Sequence, residues 1–381
     1  MTPYSDFYYF YILAVVLLPC IILGLFQKKI KWYGLLVTIF MIYHIFASSK
    51  KQLVFLAAFF VLQVLLTKSY DLLRKKLNKR WHLWIIIIIS LIPLFITKLS
   101  GVFIHKEIGF LGVSYLTFKC VQTIIQIYDG YIKDLNVLEY AYFILFFPTL
   151  SSGPIDRSIR FIKEINTVPT RKEYLDYLGN GLWKIVLGIA YKFLISSYIN
   201  DTWVSKLLLK PHITINIIKY MYFYSFYLFF DFAGYSLIAI GVSYILGVKT
   251  PDNFNLPFIS KDIKDFWNRW HMSLSFWFRD FIFNRFVMAA IKKKWFKSRY
   301  TAAYIGYFIT MLIMGFWHGV QLNYIVYGVY HGVLVAGTDC FQKSSFYSKV
   351  KEKRVFTAVS TVITFNIVCF GFLIFSGYLF K

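Results

Sequence analysis

The chain has 381 residues, of which 58% are apolar and only 16% are charged. A soluble globular domain carries roughly 25% charged residues, so this chain has too little polar surface to face water on every side. Lysine and arginine outnumber aspartate and glutamate by 42 to 18, and the basic residues stand in short clusters between apolar runs. That pattern is typical of membrane proteins, whose cytoplasmic loops collect positive charge that also attracts anionic lipid. It argues against a nucleic acid partner.

Apolar runs predict an all-α polytopic membrane protein with about 11 spanning helices, because one crossing takes about 20 residues. Breaks at Pro148–Pro154 and Gly315–Gly319 predict re-entrant pieces, and no linker separates soluble domains. Residues 1–381 are therefore interpreted as a single membrane domain without a β-sheet. The predicted spans are 7–27, 32–49, 52–67, 81–97, 108–128, 140–155, 182–200, 213–230, 232–248, one or two within 300–338, and 355–380.

Charge asymmetry predicts the orientation. Residues 1–9 contain no lysine or arginine, whereas a cluster of lysines follows the first span. The positive-inside rule therefore places the N-terminus outside the cell. The basic segments 74–80, 157–172 and 249–299 are then expected on the cytoplasmic side, with 157–172 lying on the surface as an amphipathic stretch.

His318 is the first candidate catalytic residue. It stands between Gly315 and Gly319 in a stretch, 300–338, that contains no charged residue. An ionisable side chain at membrane depth is costly and is a functional candidate by default. Glycine permits a break in a helix and close approach of another group. His318 could therefore be a general base in an aqueous cavity, or a hydrogen-bonded turn histidine at a membrane surface.

His271 is the second candidate. If residues 265–280 are helical, Trp267, Trp270, Leu274 and Trp277 share one face, whereas Arg269, Ser273 and Asp280 lie off it. That arrangement predicts an amphipathic helix with an aromatic face, which could carry a functional histidine or simply anchor the chain at the interface.

Two further polar residues receive structural interpretations. Asp231 stands between two apolar runs and could pair with an arginine or hold a helix break. His331 follows His318 by 13 residues, about 220° round a continuous helix, and is interpreted as a packing residue.

Other catalytic patterns are missing from the sequence. It contains no G-x-S-x-G elbow, no phosphate-binding glycine loop and no H-E-x-x-H. Its four cysteines are scattered singly, which favours small core residues over disulfides or zinc ligands. Acidic residues are too few and dispersed for a carboxylate metal site. The sequence therefore shows no pattern typical of a metal site.

Residues 266–280 and 315–319 together resemble the membrane-bound O-acyltransferase family, in which an R-W-H-x-S-L-S segment is followed further along by W-H-G. In this chain the two histidines lie 47 residues apart. The segments Ser152–Ile155 and Asp231–Ser236 also match family landmarks, so the resemblance covers roughly residues 110–335. The short chain and the segment 284–295, which stands where alginate O-acetyltransferases carry P-L-G-G-N-R, make it most similar to members that serve teichoic acid D-alanylation in Gram-positive bacteria.

The resemblance implies that D-alanine arrives as a thioester on the phosphopantetheine arm of a cytoplasmic D-alanyl carrier protein and is passed outward for transfer to teichoic acid. His318 would be the general base and His271 the second active-site histidine, beside the donor arm. Asn268 and Trp317 would shape the tunnel, with support from Arg269, Ser273 and Asp231. A small membrane peptide and an outward-facing protein would be further partners.

Two alternatives remain open from the sequence. One is the same chemistry with another acyl group, such as O-acetylation of an exported polysaccharide. The other is a channel or flippase without acyl chemistry, although the spans offer few charged residues to line a path.

Overall fold

The computed structural model describes residues 3–4, 7–77, 79–103, 108–211 and 213–380. Within these ranges the chain is helical and contains no β-strand, as predicted. The predicted outer segment 1–9 lies partly outside the described residues. The helices are α1 (Phe7–Leu25), α2 (Lys31–Phe46), α3 (Lys50–Lys76), α4 (Arg80–Phe103), α5 (Val113–Tyr128), α6 (Val137–Leu145), α7 (Ser158–Asn166), α8 (Arg171–Leu207), α9 (Thr214–Ile245), α10 (Ile263–Trp267), α11 (Met272–Phe278), α12 (Asn284–Lys292), α13 (Arg299–His318), α14 (Leu322–Phe341), α15 (Ser345–Val350) and α16 (Arg354–Phe375).

Several of these helices can cross a bilayer. Among the described residues, seven helices are long and apolar enough, namely α1, α3, α4, α8, α9, α13 and α16, and α2 is apolar but shorter. The chain is therefore a multi-pass membrane protein, as predicted. The predicted number of about 11 spans is not confirmed.

The predicted spans 213–230 and 232–248 are one continuous helix, α9, of 32 residues. The predicted helix break at Asp231 is therefore wrong. The Asp231 carboxylate accepts a hydrogen bond from the Lys192 ammonium at 2.5 Å, so its partner is a lysine and not the predicted arginine. An ion pair compensates the charge, so the backbone needs no break. A helix of this length measures about 48 Å, more than the hydrocarbon thickness of about 30 Å.

The predicted span 140–155 is also not a single helix. Helix α6 ends at Leu145, and Phe147–Thr149 forms a 3₁₀ turn, so the break predicted near Pro148 is present. The buried Lys119 ammonium of α5 donates to the carbonyl oxygens of Phe143 and Ile144, at 3.2 and 3.3 Å, and to Thr149 Oγ1 at 2.9 Å. Two of these bonds satisfy carbonyl groups of the last turn of α6, which have no helical partner, and the third connects Lys119 to the 3₁₀ turn.

The described residues form two compact units, one made of 1–189 with 235–251 and the other of 190–234 with 252–381. The second unit contains both candidate histidines. Its helices α13 and α14 form a hairpin that packs closely because glycines face each other. A Cβ added to Gly315 would lie 2.5 Å from the Tyr324 carbonyl oxygen, and one added to Gly328 would lie 2.7 Å from that of Met311. The first of these close approaches agrees with the role predicted for Gly315.

Candidate active site

The His271 segment is a turn between two short helices. Helix α10 ends at Trp267 and α11 begins at Met272, so the single amphipathic helix considered for residues 265–280 is wrong. His271 has φ 43° and ψ 52°, in the left-handed region. For a residue other than glycine this conformation costs roughly 1–2 kcal/mol. Such strain persists only where the surroundings impose it, and it clusters at functional sites.

A neighbouring loop imposes this turn. The Asn253 carbonyl oxygen accepts the N–H of Met272 at 2.9 Å, and the Asn255 N–H donates to the Arg269 carbonyl oxygen at 3.0 Å. The side-chain oxygen of Asn253 accepts the Ser273 hydroxyl at 2.6 Å and the Ser273 N–H at 3.3 Å. These bonds fix both sides of His271 and satisfy N–H groups of the first turn of α11.

Aromatic rings surround this turn. The Phe232 ring of α9 meets the imidazole of His271 edge to face, with centroids 4.7 Å apart. The adjacent Trp270 packs against Phe372 at 4.7 Å and Phe254 at 5.0 Å. His271 is only 4% exposed. Burial, and secondarily the charge of His318, lower the pKa of His271 from 6.5 to about 3. His271 is therefore a neutral imidazole at neutral pH, with a lone pair on one ring nitrogen.

His318 is the last residue of α13, and Gly319 follows in extended conformation. Helix α14 begins only at Leu322, so stretch 300–338 contains two helices with the predicted break at His318. The imidazole is partly buried, with its centroid 5.0 Å from Phe375 and 4.6 Å from Trp317. His318 thus lies at the turn of the hairpin, where the helix ends.

The two histidines belong to the same compact unit and interact electrostatically, because charge on His318 lowers the pKa of His271. Polar contacts hold their supporting helices together. The Lys264 ammonium of α10 donates to Asp339 at 2.6 Å and to Gln342 at 3.0 Å, both on α14. Helix α10 leads into the His271 turn and α14 follows His318, so these contacts help to fix one histidine relative to the other.

The other predicted site residues take several positions. Ser273 is buried against Asn253, and Arg269 pairs with Asp265 at 2.8 Å; their supporting roles in the site stay predictions. Asn268 is exposed at the C-terminal end of α10, and Trp317 contacts the ring of His318. Asp231 pairs with Lys192. The tunnel roles of Asn268 and Trp317 stay predictions.

Asn253 was missed by the sequence analysis. A single asparagine in a loop carries little signal, and only the fold shows that it faces Ser273, twenty residues further along the chain. His331 is fully buried, with its ring centroid 4.5 Å from that of Tyr327 and 5.1 Å from that of Trp267. This agrees with the predicted packing role. No group of three or more metal-ligating side chains occurs among the residues that the structure describes.

The chain is similar in sequence to several known proteins. The teichoic acid D-alanyltransferase of Bacillus subtilis is 48% identical over 99% of this chain and 98% of its own length. The enzyme of the same name from Streptococcus thermophilus is 38% identical over 100% of this chain and 96% of its own length. The probable alginate O-acetylase of Pseudomonas aeruginosa is 31% identical over 70% of this chain and 48% of its own length.

The sequence model of the membrane-bound O-acyltransferase family matches residues 35–380, nearly the whole chain. The match includes both histidine segments and the loop that carries Asn253. The multi-pass helical fold agrees with this assignment. The chain is therefore an acyltransferase and belongs to the membrane-bound O-acyltransferase family.

Proposed function

We propose that this protein carries out D-alanylation of teichoic acid, taking D-alanine from a thioester on a cytoplasmic carrier protein and passing it outward across the membrane. The observation that carries the proposal is the pair of interacting histidines in one unit, in a chain 48% identical to a teichoic acid D-alanyltransferase. The carrier protein brings the phosphopantetheine arm, so this chain needs no bound cofactor for the step.

His318 is the general base in this proposal. A thioester is already activated, but a hydroxyl acceptor is a weak nucleophile until its proton is removed. The neutral imidazole takes the hydroxyl proton as the oxygen attacks the thioester carbonyl, and the resulting imidazolium returns a proton to the departing thiolate. The products are an ester and a thiol, with no net change in the histidine. Such a base contributes typically 10²–10⁴-fold to rate.

His271 acts beside it as a neutral group. Its low pKa means that it does not exchange protons near neutral pH, so it lines the path of the donor arm and offers a hydrogen bond. The strained backbone fixes the ring in one place. Trp317 and Asn268 shape the tunnel, with Arg269, Ser273 and Asp231 in support.

The carrier protein docks on α12 and the residues after it. Met288, Ile291 and Trp295 are 71%, 51% and 50% exposed, and the exposed lysines 292–294 stand beside them. An apolar patch with a basic rim suits an acidic carrier, because complementary charge speeds docking while apolar contacts provide affinity.

The remaining parts of the proposal concern sidedness and partners. The N-terminus faces outward, because lysines are lacking before α1 and clustered after it. A small membrane peptide and an outward-facing protein receive or relay the acyl group. A cysteine introduced before α1 and treated with a membrane-impermeant thiol reagent tests whether the N-terminus faces outward. Co-purification from the native membrane tests for the two partners.

A single-turnover assay tests the central step. Membranes with the wild-type protein are mixed with carrier protein loaded with labelled D-alanine, and loss of label from the carrier is followed. His318→Ala should lower the rate at least about 100-fold, while carrier binding to the same preparation stays unchanged. His318→Ala that retains more than about a tenth of the rate would overturn the assignment of the base.

The 31% identity to a probable alginate O-acetylase favours a second candidate, transfer of an acetyl group to an exported polysaccharide. The same assay decides between the two. Rapid transfer from acetyl-loaded carrier with none from D-alanyl-loaded carrier would establish acetylation, and the reverse preference would establish D-alanylation.

A further inference from the structure

Helices α14 and α16 contact each other closely at one end. The Tyr330 hydroxyl donates to the carbonyl oxygen of Ile367 at 2.9 Å. His331 Nε2 lies so close to Gly371 that a Cβ added there would be 2.7 Å from it. Further along, toward the end of α14 and the beginning of α16, a cavity of about 390 Å³ opens between the two helices. This volume lies in the range of small-molecule sites.

The cavity is amphipathic. Its walls are apolar, and two of the wall residues, Phe341 and Ile363, are 44% and 53% exposed, so the cavity opens to an apolar part of the protein surface. Its other end is basic. The lining residues that matter here are Leu334, Phe341, Ile363 and Ile367 on the walls, and Lys261 and Lys351 at the basic end.

The charged residues that line this end carry a net charge of +1, from Lys261 and Lys351 against Asp262. The Asp262 carboxylate is held by other groups, since one oxygen accepts the N–H of Asp265 at 2.8 Å and the other accepts Gln342 Nε2 at 2.9 Å. Lys351 lies 4.0 Å from Glu352, and both are well exposed, so that pair contributes little. Within the described part of the chain, Lys261 forms no ion pair, and the first turn of α16 carries no acidic residue.

We propose that this cavity binds an anionic phospholipid, with one acyl chain between α14 and α16 and the headgroup phosphate between Lys261 and Lys351. An apolar slot with a cationic mouth complements an amphiphile that is negative at one end. Basic pockets between helices are known to bind anionic headgroups. A partner helix, with a diameter of about 10 Å, is too wide for a cavity of this volume. The predicted orientation places the mouth at the cytoplasmic leaflet, where anionic lipids are found.

Native mass spectrometry of the full-length protein in neutral detergent tests the proposal. Phosphatidylglycerol and phosphatidylcholine are added separately, and bound lipid is counted. Wild type should bind phosphatidylglycerol in preference. The double variant Lys261→Gln/Lys351→Gln should lose affinity for phosphatidylglycerol by roughly fivefold per lysine, with phosphatidylcholine binding unchanged. Lys349→Gln, on α15 outside the cavity lining, is the matched control and should behave as wild type.

A second variant separates the slot from the charges. Thr338→Phe fills the cavity without changing charge and should also abolish the preference for phosphatidylglycerol. It decides the question if the double variant does not fold. Equal binding of both lipids to wild type, or retained preference in Thr338→Phe, would refute a lipid site. A thermal stabilisation by inorganic phosphate as large as that by phosphatidylglycerol would show an anion site that needs no acyl chain, and would also overturn the proposal.

Discussion

Asn253 holds Ser273 through one side-chain oxygen that accepts both the hydroxyl, at 2.6 Å, and the backbone N–H, at 3.3 Å. Ser273 lies two residues after His271, whose backbone is strained. The conformation of the candidate histidine therefore depends on the loop that carries Asn253. A local change at Asn253 should act on catalysis without touching either imidazole.

Asn253→Ala should reduce transfer by about 100-fold, because a misplacement of about 1 Å near a reacting group can cost that much. Asn253→Asp keeps an acceptor oxygen at the same position and should retain more of the rate. Single-turnover transfer and thermal midpoints of the two variants provide the test. Equal rates for Ala and Asp would show that the hydrogen bonds to Ser273 do not position His271.

The left-handed backbone of His271 affects how its substitutions should be chosen. Glycine and asparagine tolerate this conformation, whereas alanine does not. His271→Gly and His271→Asn should therefore be more stable than His271→Ala by roughly 1–2 kcal/mol in the free energy of unfolding. This difference should appear as a higher unfolding temperature. If all three unfold at the same temperature, the loop does not impose the turn. His271→Asn is therefore the better variant for measuring the loss of the imidazole, because asparagine tolerates the left-handed backbone.

The stability of the protein should depend on pH through His271. Burial, and then the charge of His318, lower its pKa from 6.5 to about 3. The folded state thus binds fewer protons than the unfolded state between these two values, so stability falls as pH drops from 6.5 and does not change above it. The difference in stability between wild type and His271→Asn should shrink or reverse as pH falls from 7 to 4. Parallel pH curves for the two proteins would contradict a neutral, buried His271.

The basic rim beside α12 should guide the carrier protein. Replacing Lys292, Lys293 and Lys294 by glutamate should weaken carrier binding, more at low salt than at high salt, because salt already screens surface charges. Fluorescence anisotropy with labelled carrier at two ionic strengths measures this effect. Matched substitutions at Lys206 and Lys210 should leave binding unchanged. Unaltered affinity of the triple variant at low salt would move the docking surface elsewhere, for example to residues 74–80.

Two glycines of α14 allow the close packing of the hairpin to be tested with matched substitutions. A Cβ at Gly328 would lie 2.7 Å from the Met311 carbonyl oxygen, whereas a Cβ at Gly337 meets nothing within 4 Å. Gly328→Ala should therefore push the hairpin apart and lower both stability and transfer. Gly337→Ala should stabilise the helix by roughly 0.5–1 kcal/mol. Thermal midpoints and transfer rates decide, and similar behaviour of the two variants would mean that close packing of α13 on α14 is not required.

Much of the fold could be predicted from local signals. Long apolar runs and clustered lysines are properties of neighbouring residues, so they predicted the helices α1, α3, α4 and α16 and the multi-pass class. The break at His318 could also be predicted, since glycines flank it. The wrong prediction concerned a charged residue inside an apolar run. Asp231 predicted a boundary, but Lys192, distant in sequence, compensates it and the helix continues.

The candidate site was predictable only in part for the same reason. The two histidines stand in recognisable segments, and the resemblance to a family rests on them. The shape of the His271 turn could not be predicted, because residues 265–280 satisfy the periodicity of one helix and only contacts with Asn253 and Asn255 show the interruption. Contacts between distant residues leave no local pattern, and no single residue of this loop marks its role.

Because α9 is one continuous helix, the residues that flank its two ends should lie on opposite sides of the bilayer. Lys210 and Lys249 bracket a single candidate crossing, so they should be exposed on opposite faces. Two crossings, as the sequence suggested, would have returned the chain to the same face. A membrane-impermeant amine reagent applied to sealed cells should therefore modify one of these lysines and spare the other. Because residues 249–299 are predicted on the cytoplasmic side, Lys249 should be the lysine that is spared and Lys210 the one that is modified.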